Sequence, residues 1–575
     1  MKKFFITYII LFLCISGHAA IPSIEPGLLA EMSRISDGDK IKINILMAEQ
    51  SDASKLIREA NFYPAKQERR QYVIETLKRL AFESQNELLR LLEEMEQNGM
   101  VEDIRPLWIV NSISCMANKT AILDLAQHTD ILSISFCEQA RWIFEDEASV
   151  TAKGDGREIA ENLLQVNAPQ VWEQGYTGQG VLVAIIDTGI NYDHADLAGR
   201  LWDGGAEYPH HGFDFSDNDN DPMDYHGHGT HVTGTVCGTG VSGTQTGIAP
   251  SATVMALKAF NDQGEGDETQ WIAAMQFAVE HGADVINMSL GRPQPNATQK
   301  RMTRQACDNT LAASVIASVC AGNIRQMQFM VPVPYNIYTP GDCPPPYLHE
   351  DQLVNIGGTS CVICVGAVDY NDHLASFSSE GPSQWTDVPE YGDYPYSAGS
   401  TTDIGLIRPD ICAPGVQIKS LDYNNINGYT LMDGTSMSTP LVTGTIALML
   451  SKNSALTPAQ IDEILERTAI PLSAHKNNDF GSGRLDALSA VNAVGDDAIV
   501  ETKQQALIYP DPSTDRFTVV CEGIKQIEIY SVDGRLIRNI DVEADSYQIE
   551  GLGNGVYLVR INTTHSKISQ KIIIL

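Results

Sequence analysis

The run Val181-Leu182-Val183-Ala184-Ile185-Ile186 passes without a polar interruption into Asp187, Thr188 and Gly189. A strand with no polar face is buried on both sides, which sets it apart from the half-solvated strands of most antiparallel sheets. Such strands belong to parallel α/β sheets, and those folds gather ligands at the strands' C-terminal tips. Asp187 occupies such a tip. The same pattern returns from Val254 to Phe260, Ala283 to Met288 and Val315 to Val319, and around Cys361 to Cys364, while Trp271 to His281 reads as an amphipathic helix stopped by Gly282.

Two further stretches carry chemistry. Gly434-Thr435-Ser436-Met437-Ser438-Thr439-Pro440 leads into the apolar run Leu441 to Leu450, a buried helix with Ser436 at its N-terminus. A serine there faces backbone N–H donors and the positive end of the helix dipole, which stabilise an oxyanion formed beside Oγ; the same position also suits a plain N-cap. His226-Gly227-His228-Gly229-Thr230-His231 sets histidines in a glycine-bracketed turn ahead of an apolar helix. The chain order Asp, His, Ser, with the serine opening a helix, is one of three orders in which serine triads are built.

On these three motifs, residues 165 to 497 resemble the subtilase family of serine peptidases. The resemblance implies an α/β, subtilisin-like parallel-sheet catalytic domain, with Ser436 as nucleophile, His228 as general base and Asp187 as the carboxylate that orients it. It further implies Asn323, in Cys320-Ala321-Gly322-Asn323, as oxyanion donor, with Cys320 where a smaller residue is usual. Ser289, Leu290 and Gly291 on one side, and Gly264 and Gly266 on the other, become the walls of a cleft that takes substrate as an added β-strand. The insertion Ile324 to Leu353 is expected to line the primed side.

Asp214-Phe215-Ser216-Asp217-Asn218-Asp219-Asn220-Asp221 alternates acids in a short loop ahead of His228. Hard cations take several oxygens, and the loop resembles a calcium loop of some subtilases, which makes Asp214, Asp217, Asp219 and Asp221 candidate ligands of a structural calcium. A solvated acidic turn is the alternative. No organic cofactor is implied.

Upstream, Lys42 to Met47 reads as a strand, Lys66 to Asn98 as a helix, Leu107 to Met116 as a strand, Lys119 to Gln127 as a helix and Ile131 to Phe136 as a strand. This β-α-β-α-β order resembles the subtilase propeptide, an α+β (ferredoxin-like) unit, here residues 20–140 with a processing tether at 141–164. The resemblance implies a self-processing zymogen whose own propeptide is its intramolecular inhibitor; an unrelated N-terminal α/β domain is the alternative. Met1-Lys2-Lys3, the apolar stretch Phe4 to Ile15 and Ser16 to Ala20 form a secretory signal, with cleavage expected after Ala19 and Ala20 as the alternative.

After a linker at 498–505, residues 506–575 alternate with period two around Asp533-Gly534 and Asn554-Gly555 turns, the pattern of a small β-sandwich. Their text resembles the C-terminal sorting domains read by the type IX secretion system; a carbohydrate-binding or spacer domain is the alternative. A net charge of −34 argues against nucleic acid or an anionic membrane as partner. Eleven cysteines, one of them Cys14 in the signal, show no recognisable framework. Cys361 and Cys364 lie three apart on a strand, hence on opposite faces, and are not a zinc pair. The expected protein is a secreted or cell-surface serine endopeptidase, exported through the periplasm, whose partners are protein or peptide substrates and the secretion machinery. No segment beyond the signal approaches membrane-spanning length. The reading from another class is a catalytically silent surface-binding protein that keeps the fold.

Overall fold

The computed structural model describes residues 23–63, 65–144, 146–152, 158–346, 352, 360–386, 388, 393–495, 507–509, 516–531, 535–563 and 567–574. The signal at 1–19, the linker at 498–505 and the Asp533-Gly534 turn lie outside them. Met1–Asp496 and Asp497–Leu575 form two compact units.

The apolar runs become the heart of the first unit. Seven strands form one parallel sheet in the order Gly212–Asp214, Thr253–Lys258, Leu182–Asp187, Val285–Met288, Ile316–Cys320, Val362–Val368 and Ile411–Pro414. Residues of the Val285–Met288 strand alternate between two layers. Ile286 and Met288 join the core shared with the helices Glu268–Glu280 and Ala297–Ala312, whereas the Asn287 carboxamide oxygen accepts from Thr443 Oγ1, at 2.8 Å, on the helix Thr435–Lys452. That helix is buried from Thr435 to Leu450, so its all-round apolar sequence reflects a position inside the domain rather than on its surface.

Residues 23–136 build a mostly antiparallel five-stranded sheet in the order Ser23–Ile24, Ile131–Phe136, Lys40–Met47, Ser112–Asn118, Val101–Leu107. One expectation is corrected here. Leu107 to Met116 is not one strand: Val101–Leu107 and Ser112–Asn118 form a hairpin, and the chain reverses through Trp108–Asn111, with Asn111 at φ 41°. The apolar text WIV conceals the turn because Trp108, Ile109 and Val110 are buried against the neighbouring helices rather than exposed to water. The long helix Lys66–Gln97 packs Val73, Ile74 and Leu77 into the core that contains Trp271 and Met275, so this N-terminal sheet unit and the parallel-sheet region share one continuous core.

In the second unit, Leu507–Tyr509, Arg516–Ser531, Gly555–Thr563 and Lys567–Ile574 are joined in that order along one hydrogen-bonded path, and Leu536–Glu550 branches from it by pairing with Arg516–Ser531. The Arg516–Ser531 strand changes register after Val520 and Ile524. Bulges bend a strand, and Phe517, Val519, Ile527, Ile529, Val559 and Ile561 enclose a core of their own.

Candidate active site

Asp187 ends its strand fully buried, and its Oδ1 lies 2.7 Å from His228 Nδ1. The same oxygen accepts from the Thr188 N–H at 2.8 Å. His228 opens the helix His228–Cys237, and Gly229 is what lets that helix reach the strand: a Cβ there would fall 2.1 Å from the Gly189 carbonyl oxygen. With Nδ1 bound to the carboxylate, the imidazole's second nitrogen, Nε2, is the one on the ring edge away from Asp187.

Ser436 stands in the first turn of the helix Thr435–Lys452 and is 6% exposed. Its backbone is tied to the neighbouring strand end, since Ser289 Oγ donates to the Ser436 carbonyl at 2.8 Å, and its Oγ lies 3.4 Å from the Ser289 carbonyl. Asn323 follows the strand Ile316–Cys320. Its carboxamide oxygen accepts from both Thr435 N–H and Thr435 Oγ1, at 3.0 and 2.9 Å. That pair of donors fixes which way the amide points, and Nδ2 lies close to Gly434, where an added Cβ would be 3.3 Å from it. Asp187 and Asn323 thus stand at the C-terminal ends of the two strands that flank Val285–Met288, while His228 and Ser436 stand in the first turns of two helices. Cys320 lies within hydrogen-bonding reach of Ser436 and Thr435, and burial pushes its thiol up to about 12, so it stays neutral beside the serine.

The other two histidines of the motif have different surroundings. His231 is fully buried with Nε2 against the Ile418 carbonyl at 3.0 Å, and burial lowers its pKa to about 3. His226 stands beside Gly264, its ring centroid 6.3 Å from that of His228. A residue that sequence reasoning missed holds this turn together. Asp224, 2% exposed, accepts from Thr188 Oγ1, from the N–H groups of His226, Gly227 and Thr230, and from Thr230 Oγ1, at 2.6 to 3.0 Å. It ties the tip of the Asp187 strand to the start of the His228 helix. The available signal was an acid four positions before His228, in a stretch already rich in glycine.

Gly264, Gly266 and Gly291 all pair with the chain's own segment Ala140–Ile143, and Leu290 between them is buried. The insertion after Asn323 does not follow its expectation: Tyr338 packs against Gly291 and Gly322, the side on which residues 140–143 lie, and Cys343 is buried with its carbonyl accepting from Arg408 Nη2 at 2.9 Å.

The acidic loop also departs from expectation. Asp214 is buried and turns its Oδ1 to the N–H groups of Ser216 and Asp217, Asp219 accepts from the Asp221 N–H, and Asp221 accepts from Tyr192 Oη. Asp217 is not grouped with them on a shared centre, and among the described residues no set of three or more such side chains is arranged to hold a metal ion. Burial raises the Asp214 carboxyl to about 6. Loop N–H groups reach Asp214 and Asp219 and the Tyr192 hydroxyl reaches Asp221, so in this structure the four carboxylates do not converge on the calcium expected of them. Cys361 and Cys364 also part, Cys361 toward Cys307 and Cys364 toward Arg408 and Asp410.

A parallel sheet that gathers a buried acid–imidazole pair, a helix-borne serine and a pinned carboxamide at its strand tips is a scaffold of the serine-hydrolase class. Residues 178–486 match the subtilase family, and the chain belongs to it. Residues 507–575 match the secretion system C-terminal sorting domain, which marks the protein as type IX cargo exported to the cell surface or beyond. Among its relatives, bacillopeptidase F of Bacillus subtilis is 30% identical over 460 residues, covering 75% of this chain but only 29% of that protein. Subtilisin E of Bacillus subtilis is 29% identical over 395 residues, 69% of this chain and 84% of the relative. Subtilisin DY of Bacillus licheniformis is 33% identical over 307 residues, 53% of this chain and 90% of the relative. No helix among the described residues is long and apolar enough to cross a membrane.

Proposed function

We propose that the protein is a secreted serine endopeptidase, made as a zymogen, that hydrolyses peptide bonds through an acyl-enzyme. The observation that carries this reading is the buried 2.7 Å Asp187–His228 bond, with His228 on a helix packed against the one that Ser436 heads. In the mechanism, Ser436 Oγ attacks the scissile carbonyl while His228 Nε2 takes its proton. Asp187 holds the imidazole in the tautomer with its proton on Nδ1 and stabilises the imidazolium that forms. Asn323 Nδ2 and the Ser436 backbone N–H receive the oxyanion, donors fixed before the charge develops and so needing no reorganisation. Gly264, Gly266 and Gly291 bind substrate main chain, which explains how one cleft accepts many sequences.

The reading assigns residues 20–140 as propeptide and inhibitor, 141–164 as tether, 165–497 as the peptidase and 506–575 as the sorting domain. Its support is the continuous core between the N-terminal sheet unit and the helices Glu268–Glu280 and Ala297–Ala312, together with the strand that the chain lays into its own cleft. A fluorophosphonate probe tests it. The mature wild type is expected to be labelled and to digest casein, and Ser436→Ala to do neither. A mature wild type that takes no label and leaves casein intact would be a binding protein on a peptidase fold.

A further inference from the structure

Three buried cysteines meet where elements distant in the chain come together. Cys307 lies on the helix Ala297–Ala312, Cys343 in the insertion after Asn323, and Cys361 immediately before the strand Val362–Val368. The Cys307 thiol is within hydrogen-bonding reach of the thiols of both Cys343 and Cys361, and all three are at most 2% exposed in one core with Leu311, Val362 and Trp385. Backbone contacts hold them there. Arg304, one helical turn before Cys307, donates from Nη2 to the Pro345 carbonyl at 2.9 Å, and Arg408 Nη2 donates to the Cys343 carbonyl at 2.9 Å. The Cys361 carbonyl accepts from the Ala317 N–H at 2.7 Å, at the edge of the parallel sheet's ladder. The three thiols do not make a metal centre, since among the described residues no set of three or more such side chains is arranged to hold an ion.

The insertion is the element that a cross-link would serve. Among the described residues, no helix or named strand forms between Met327 and Val362, so no continuous ladder fastens this stretch. Thr339 and Arg292 bridge by N–H···O bonds of 2.9 and 3.1 Å, and Tyr338 packs against Gly291 and Gly322. The turn from Tyr338 to Cys343 is closed by the Asp342 N–H on the Tyr338 carbonyl and by the Cys343 N–H on the Pro340 carbonyl, both at 3.0 Å. Cys343 therefore ends a turn whose other end backs two segments of the cleft.

We infer that Cys307 and Cys343 form a disulfide in the exported protein, which fastens this turn to the helix Ala297–Ala312 and leaves Cys361 a thiol. Export carries the chain out of the reducing cytoplasm, to where neighbouring thiols are oxidised. Closing the bond draws the two sulfurs from contact to about 2.05 Å. The insertion can follow that movement, whereas Cys361 is held by the sheet. In the folded protein the thiols resist oxidation. The Cys343 thiol works to lower Cys307, but the bond to Cys361 and burial outweigh it and leave Cys307 well above the usual thiol range; burial, then Cys307, does the same to Cys343. Neutral thiols are poor nucleophiles, so the bond forms while the chain folds, by exchange with an external disulfide. One cysteine thiolate attacks that disulfide and releases a first external thiolate. The second attacks the mixed disulfide, closes Cys307–Cys343 and releases the other. The two cysteines are oxidised by two electrons, the external disulfide is reduced to a dithiol, and their two protons pass to it.

The test labels the cysteines of the secreted protein in two rounds. Protein purified without reductant is unfolded at mildly acidic pH in N-ethylmaleimide, then reduced, treated with iodoacetamide and mapped by peptide mass. Cys307 and Cys343 are expected to carry the second label and Cys361 the first, and an unreduced digest to contain the Cys307 and Cys343 peptides linked. Maleimide on all three overturns the disulfide. The second label on Cys307 and Cys361, with maleimide on Cys343, overturns the pairing. A second measurement reads what the bond does. A reductant is expected to raise the thermal unfolding rate of the wild type about tenfold or more, and that of the double variant Cys307→Ala, Cys343→Ala less than about twofold. A wild-type rate that the reductant leaves unchanged overturns the fastening role, and the label map on wild type stands whether or not the variant folds.

Discussion

Three histidines within six residues have three different fates, and the reason in each case is what surrounds the ring. His228 bonds a buried carboxylate, His231 a backbone carbonyl in the core, and His226 lines the cleft next to Gly264. His228→Ala is therefore expected to lower kcat by about 10⁴ and His226→Ala to leave most activity, measured on one peptide substrate; the opposite ranking would remove His228 as general base. His231 also sets an acid limit. Its folded pKa of about 3 lies below the usual 6.5, so between these values the unfolded chain binds a proton that the folded chain does not. Stability is then complete above about pH 6.5 and falls by about 1.4 kcal/mol per pH unit as acid is added toward pH 3. Denaturant unfolding from pH 7 to 4 should show His231→Gln with a shallower loss than wild type; equal slopes would place the acid sensitivity in other groups.

Among the elements, the acidic loop shows how local text misleads. Alternate aspartates in sequence are compatible with one cation, yet loop N–H groups and Tyr192 reach the carboxylates first. The expected result is that the double variant Asp217→Asn, Asp219→Asn shifts Tm equally in calcium and in a chelator. A variant whose Tm no longer responds to calcium, while wild type's does, would restore the loop as a metal site. The Trp108–Asn111 turn misled in the same way, because an apolar turn is written like a strand when a neighbouring element buries it.

At the scale of the whole first unit, the N-terminal sheet is held by more than apolar packing. Lys42 Nζ meets the fully buried Asp267 at 2.7 Å, Lys66 meets Asp284 at 2.8 Å, and Gln276 Oε1 accepts from the Trp108 and Ile109 N–H groups. Asp267 also caps the helix Glu268–Glu280. Lys42→Ala strands a buried carboxylate, so in the uncut Ser436→Ala chain it is expected to cost about 3–5 kcal/mol of unfolding free energy. Adding Asp267→Ala should cost less than the sum of the two single changes; strict additivity would show that the pair does not couple the sheet to the peptidase.

The sequence by itself determined the buried strands, the serine at the head of an apolar helix and the motif order. Each is a local pattern of a few residues whose period and punctuation dictate burial, so the places of Asp187 and Ser436 were legible before any coordinates, whereas His228 was told apart from His226 and His231 only through the family resemblance. Asn323 and the glycine walls were legible only through family resemblance, because nothing in their spacing announces which partners they meet. Tertiary structure alone decided the rest: that Asp224 would gather five donors, that Tyr338 would reach back across the insertion to Gly291 and Gly322, and that the Phe144 ring would meet that of Tyr338. A carboxylate's role depends on which donors the fold brings within 3 Å of it, and a pocket's depth on which side chain arrives from elsewhere in the chain. Those contacts are made between residues that are far apart in sequence, where periodicity carries no information.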